Sequence, residues 1–458
     1  MFGQLFAIAR NTFSESLRQP IVFVIILASA VAQVFNVLLS AYSMGFSEEK
    51  EVDGDDKLLL DMGLATVLVA ATLLAAFIAT NVLSREIENK TVLTVISKPV
   101  GRPLFVIGKY LGVAASITIA TTIMLVFFLY GIRHEVMSTA RDDPSGPVIL
   151  FGLASVLIPV FVATWGNYFY NWVFSSTAVI LMLPMSVLGY VTTLMLDKEW
   201  AWQAIGTDFK PQITLACGCV LLAMLVLTSV ALAASTRLGQ VMTLVVATGV
   251  FVLGLLSNHL LGNYAFTNTP VGEIRRVATL DDGPIEELRE PFDLTRPLAQ
   301  LRIELAVPPT ELLRPGMSIY YGADPSGVSM PVPAHTPFAG DVNDGRAIDE
   351  SPDPAIFVRT IDAESDTIFT IVNAGGLDVA RNPRAGDYIF LQPTVINWPA
   401  RVGWSFIPNV QSFWLVDAIT QGNDVPPGYV GLLTLYTGTH VVVFLSVAII
   451  LFQRRDVG

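Results

Sequence analysis

The chain alternates between long apolar runs, several of them without any charge, and stretches where polar and charged residues collect. A transmembrane helix needs roughly 20 apolar residues to cross a hydrocarbon layer about 30 Å thick. Eight runs meet that length: Pro20–Tyr42, Leu58–Leu83, Leu104–Tyr130, Val148–Tyr168, Thr177–Leu196, Ile213–Ala234, Leu238–Leu261 and Tyr429–Phe452. Pro159 and Pro184 fall inside two of them, and Asn167 and Asn171 sit at a boundary. Proline is tolerated in a membrane helix when neighbours satisfy the freed carbonyl. Ahead of the first run, Phe2, Leu5, Phe6, Ala9, Phe13 and Leu17 recur at helical spacing, opposite Gln4, Arg10, Asn11, Ser14 and Arg18. Residues 1–19 therefore read as an amphipathic interfacial helix, the alternative being an extension of the first span.

Between the last two runs the pattern changes. Residues 262–427 begin rich in Pro, Gly and Asp, then alternate with period two at Arg302–Val307, Met317–Tyr321, Ile356–Ile361, Thr367–Val372 and Tyr388–Leu391. Turn signals separate the later runs, among them Asn373-Ala374-Gly375-Gly376 and Ala385-Gly386-Asp387. This predicts a β-rich domain at about 298–395. Asn409–Gln421 reads as a short amphipathic helix on the membrane surface, and 428–458 as the last span with a basic tail. The expected fold is an all-α polytopic membrane protein with about eight transmembrane helices, spans one to seven within 20–261, and an inserted small extracytoplasmic β-rich domain.

Charge sharpens that picture. Of the 458 residues, 53% are hydrophobic and 14% charged, against about 25% charged in a typical soluble domain. The net charge is −12, and residues 262–427 hold 22 acids against 11 arginines and no lysine, a balance of −11. An acidic region of that size argues against nucleic acid as a partner. Lys and Arg in short loops mark the cytoplasmic face. Arg10, Arg18, Arg85, Lys90, Lys98, Arg102, Lys109, Arg237, Arg454 and Arg455 all fall on one face of an eight-span chain. Both termini are then cytoplasmic, in a multi-pass cytoplasmic (inner) membrane protein, and the acidic insert is outside. Arg133, Arg141, Lys198 and Lys210 are the exceptions. The first apolar run is too long for a cleavable signal and lacks a clear cleavage site.

Catalytic patterns are missing. Nothing matches a phosphate-binding G-x-x-x-x-G-K-[ST] loop or a G-x-S-x-G elbow. His134, His259, His335 and His440 lack the i, i+4 pairing of a metal-binding helix, and His440 reads as a packed residue inside the last span. Cys217 and Cys219 read as small buried hydrophobes. No enzyme activity, cofactor or metal is expected of this chain. The runs are nearly free of ionisable groups, which disfavours an ion-coupled carrier. Gln33, Asn36, Asn81, Trp165 and Asn167 are their polar interruptions. Gln33 and Asn36, three apart, share a face of the first span, for interhelical hydrogen bonding or for a substrate path.

The segment SREIENKTVLTVISKPVGRPLFVIGKYLG, Ser84–Gly112, is the most specific. Thr91–Ile96 allow one or two helical turns, and the residue before Pro99 is pushed out of the helical region. On residue chemistry alone it is a rigid lever between two spans or a solvated loop. Its acidic start, Thr91, Lys98-Pro99-Val100, Arg102 and Lys109 resemble the cytoplasmic coupling loop of ABC-2 type transporter permeases. AIARNTFSESLRQPIVFVI resembles their amphipathic first helix, and FLSVAIILFQRRDVG their last span. ALAASTRLGQVMTLVV and IPNVQSFWLVDAI are similar to the branch of nitrous-oxide-reductase and multicopper-enzyme maturation permeases.

The resemblance implies a permease subunit, an exporter component, that pairs with a second permease as a homo- or heterodimer. It implies a separate cytoplasmic ABC ATPase that binds the ATP and docks on the first helix and on the loop at 84–109. By position Glu86, Glu88, Lys90, Thr91, Lys98 and Arg102 would make that contact, with Arg10 and Arg18 on the interfacial helix. The family commonly has six spans and no β insert, so the insert is open to docking an extracytoplasmic protein partner. The alternative function is a membrane-anchored assembly or structural protein without transport.

Overall fold

The computed structural model describes residues 2–40, 51–84, 101–136, 143–279, 294, 298–328, 330–362, 365–420 and 425–453. It divides into two units, Met1–Leu255 with Pro408–Gly458, and Leu256–Ile407.

The first unit is helical. After Phe2–Leu17 come helices long and apolar enough to cross a membrane: Pro20–Ser40, Lys57–Leu83, Arg102–His134, Gly146–Tyr170, Phe174–Leu194, Pro211–Ser235, Gln240–Ala265, whose residues from 256 on belong to the second unit, and Pro427–Gln453. They fall on the eight apolar runs. Prolines at the first turns of the third, fourth and sixth cost nothing, because those N–H groups have no helical acceptor. Pro159 and Pro184 sit inside the fourth and fifth without ending them. The second, third and sixth spans form the core, with 61%, 72% and 72% of their most apolar stretch buried, whereas the fourth and eighth have 22% each. The remaining apolar surface of these outer spans suits contact with lipid.

Local chemistry sets the hairpin between the fourth and fifth spans. Asn171 takes the left-handed conformation that ends a helix, with φ 55°. Asn167 Nδ2 donates to the Trp172 carbonyl at 2.6 Å. Gly166 is required, because a Cβ there would come within 2.3 Å of the Trp172 ring. Two cations that broke the loop-charge pattern have acidic partners. Arg133 Nη2 lies 2.7 Å from Asp208 Oδ2, and Lys198 Nζ 2.9 Å from Glu135 Oε2.

Asn409–Gln421 is not one surface helix. The Asn409 side chain accepts from the Gln411 N–H and opens a tight turn at Val410–Phe413, followed by a separate helix Val416–Thr420. Val410, Phe413 and Val416 are buried in the core of the spans. Gly254 of the seventh span admits them: a Cβ there would stand 2.5 Å from the Pro408 carbonyl and 2.6 Å from Val410.

The second unit is built on an antiparallel sheet. Its strands are β1 (Phe266–Thr267), β2 (Gly272–Thr279), β3 (Gln300–Leu305), β4 (Tyr320–Gly322), β5 (Ala355–Ile361), β6 (Ile368–Ala374), β7 (Tyr388–Phe390) and β8 (Val395–Ile396). Six pair in the order β4-β7-β2-β3-β6-β5, and β1 pairs with β8. The segment leading into β4 also bonds to β5: Ile319 N donates to the Ile356 carbonyl and Val358 N to that of Met317. One stretch of chain thus joins both edges of the sheet, leaving fewer open ladder groups. Ile274, Leu301, Ile303, Phe369, Ile371 and Ile389 fill the core. The sheet starts well before residue 298. Strand β2 lies in the early part read as rich in Pro, Gly and Asp, ahead of the expected β-rich stretch, and a bulge between Ile274 and Arg276 breaks its alternation.

Candidate functional site

The first unit gathers several sequence-predicted residues at one end of its spans. The helix Phe2–Leu17 packs along the start of the third span. Contact is close because Gly108, Gly112 and Ser116, four apart, form one row of small residues. A Cβ on Gly108 would lie 2.7 Å from Ile8 Cγ2, and one on Gly112 2.5 Å from the Ala9 carbonyl. Ser116 Oγ follows, 3.4 Å from the Phe13 carbonyl. The buried side of this helix includes Thr12, Ser16 and Leu17, while Phe2 and Phe6 are 88% and 69% exposed. The expected apolar stripe is therefore split, since small residues rather than aromatic ones fit the glycine row. Arg10 and Arg18 are exposed. Ser175 Oγ donates to the Arg18 carbonyl at 2.7 Å. Asn81 Nδ2, in the π turn Thr80–Ser84, donates to Gln19 Oε1 at 2.9 Å.

The end of the last span is held by two arginines. Arg102 Nη1 donates to the Gln453 carbonyl at 2.9 Å, and Arg237 Nε to that of Leu451 at 3.0 Å. The last carbonyls of a helix have no intrahelical N–H donor and carry partial negative charge, so a cation there contributes about 0.3–1 kcal/mol. Phe105 stacks on Phe452 with ring centroids 5.7 Å apart, and Lys109 Nζ stands 5.5 Å from the Phe105 centroid. Lys109 is buried. The start of the third span, the turn after the sixth and the end of the eighth are thus one clasp. Glu86, Glu88, Lys90, Thr91 and Lys98 lie outside the described residues. The chain enters that stretch at the Asn81 contact and leaves it at the Arg102 contact.

Gln33 and Asn36 lie elsewhere, buried between the first two spans. Gln33 Nε2 donates to the Gly63 carbonyl at 2.9 Å, and Asn36 Nδ2 lies 3.1 Å from Thr66 Oγ1 and 3.3 Å from Gln33 Oε1. Their donors face the second span. His440 Nδ1 contacts the Tyr436 carbonyl at 3.1 Å, and its ring packs on that tyrosine. Cys217 and Cys219 are buried free thiols. Among the described residues, no group of three or more His, Cys, Asp or Glu side chains is placed to hold a metal.

Gly108, Gly112, Arg237 and Phe452 were not expected as site residues. The two glycines carry a readable signal, a Gly-x-x-x-Gly spacing in an apolar run. Arg237 and Phe452 carry none, because their partners are 214 residues away or more in sequence or lie on another span.

Residues 6–165 match the family described as ABC-2 family transporter protein. The match takes in most of the interfacial helix, the predicted coupling loop and the first three spans with most of the fourth. It supports a transport permease role and an ABC-2 type permease. With the eight apolar helices it supports a multi-pass membrane protein. No curated protein and no solved structure matches the chain.

Proposed function

We propose that the chain is the membrane subunit of an ABC-2 type exporter, driven by ATP hydrolysis on a separate ATPase chain and working as a pair of permease subunits. The observation that carries this reading is the family match over residues 6–165, which includes both surfaces an ATPase would grip. Glu86, Glu88, Lys90, Thr91, Lys98 and Arg102 form the proposed ATPase contact, with the interfacial helix beside it. The geometry of the chain's own residues supports a lever. A push on the loop, which follows the second span directly, reaches the junction of the interfacial helix and the first span through Asn81 and Gln19 and the last span through Arg102, while the glycine row keeps the interfacial helix on the third span. In this reading the clasp end is cytoplasmic, the protein sits in the inner membrane, and the acidic β unit is outside.

The test is capture of an ATPase by the affinity-tagged full chain. Lys98→Glu with Arg102→Glu is expected to reduce capture at least tenfold. Arg237→Glu loosens the same clasp without touching the loop and should keep capture, which separates loss of contact from loss of fold. No capture by the unsubstituted chain, or equal capture by the double variant, overturns the reading. Orientation has its own measurement: a membrane-impermeant thiol reagent should reach a cysteine placed between Asp341 and Asp353 in intact cells. A second reading, an assembly protein that uses the β unit to bind a partner, is favoured by that unit's independent core. It predicts capture of an external protein and no ATPase.

A further inference from the structure

The helix Trp398–Phe406 presents its large apolar residues away from its own unit. Trp398, Val402 and Phe406, at i, i+4 and i+8, are 65%, 52% and 64% exposed. Its one charge points the other way. The Arg401 guanidinium stands 4.8 Å from the centroid of Phe266, and Trp404 meets the same ring edge-on at 5.9 Å. A helix in water would bury the valine and phenylalanine and expose the arginine.

The position of this helix is fixed within its unit. Asn397 N donates to the Ala265 carbonyl at 2.9 Å, and the bridge pairs Phe266 with Ile396 and Thr267 with Val395. The helix therefore starts beside the last residue of the seventh span. That span runs 26 residues, Gln240–Ala265, or about 39 Å at 1.5 Å per residue. This exceeds a hydrocarbon layer of about 30 Å, so its final turns, which belong to the same unit, emerge at the headgroups. Tyr264 there is 67% exposed, and tyrosine and tryptophan favour that depth.

We propose that Trp398, Val402 and Phe406 insert into the lipid headgroup region where the seventh span leaves the bilayer. The helix then anchors both chain ends of the β unit to the membrane surface. A lipid surface is the occupant the chemistry selects. The exposed face carries no charge, it adjoins a helix that already crosses the bilayer, and aromatic residues stand at both of its ends. This does not depend on the transport reading.

The experiment places a nitroxide label at Val402→Cys, and separately at Phe406→Cys, in the full chain in phosphatidylcholine–phosphatidylglycerol nanodiscs. Both sites are exposed, so neither substitution removes core packing, and the buried native thiols are controlled by labelling the unsubstituted protein. Leu312→Cys, at a position 74% exposed on the β unit, serves as the aqueous reference. Power saturation should give at both sites a ratio of oxygen to water-soluble nickel collisions several-fold above that at Leu312. A ratio equal to that at Leu312 means water and overturns the proposal. Low collision with both reagents means cover by a protein partner or a second copy, and overturns it equally.

Discussion

The two units use the same kind of side chain under different rules. In the membrane-spanning unit, Asn36 and Gln33 bind each other and the backbone of the next span. In the β unit, Asn373 is fully buried and its amide serves three backbone groups: Nδ2 donates to the Leu294 and Leu377 carbonyls, and Oδ1 accepts from the Leu377 N–H. A polar group between membrane helices is worth little on average, because helices separated in lipid also find partners for it. The unfolded state of a water-exposed sheet is instead fully hydrated, so deleting a buried partner leaves its mates bare at full cost. Buried amides in the two units should therefore differ several-fold in what they contribute.

The largest effect should come from Asn373→Ala. It orphans two carbonyls and one N–H at the turn where Gly375, at φ 63°, reverses the chain. The expected loss is roughly 3 kcal/mol, seen as a lower unfolding temperature of the β signal in circular dichroism of the full chain. Asn36→Leu should cost about 0.6 kcal/mol, measured by unfolding in mixed micelles. If Asn36→Leu proves as costly as Asn373→Ala, the difference between the units is lost. If it abolishes transport while leaving stability unchanged, the pair lines a substrate path instead.

The smallest effect is a pH dependence confined to the β unit. His335 stacks on Tyr320, with centroids 4.6 Å apart, and burial pushes its imidazole below the ordinary value of 6.5. Above that value both folded and unfolded forms are neutral there and His335 adds no dependence. As pH falls through 6.5 the unfolded chain takes up a proton that the folded one refuses, so stability declines. The unfolding temperature of the β signal should drop between pH 7.5 and 5.5. His335→Phe, which keeps the stack, should flatten that drop, and an unchanged slope would remove His335 as its cause.

Much of the first unit was legible in the residues. Its eight runs are continuous and apolar, and a helix that closes its own hydrogen bonds in lipid leaves no other reading. The turn at Asn171 and the prolines at span starts are equally local. In the second unit, β3, β5, β6 and β7 announced themselves by alternation and turn residues. Strand β2 did not, because its bulge puts Ile274 and Val277 three apart. The site was legible only in part. The glycine spacing of Gly108 and Gly112 is written in the chain, but not that Ala9 would lie against it.

Sequence alone determined that the chain carries eight stretches long and apolar enough to cross a membrane and an acidic β-rich insert, since length, apolar continuity and period are properties of neighbouring residues. Tertiary structure alone decided that Arg102 and Arg237 close on the last span and that Val410 and Phe413 turn into the core. It also decided that Trp398–Phe406, rather than the stretch after it, shows an apolar face outward. Each of these depends on which distant surface a side chain meets, and no period in the sequence encodes that surface.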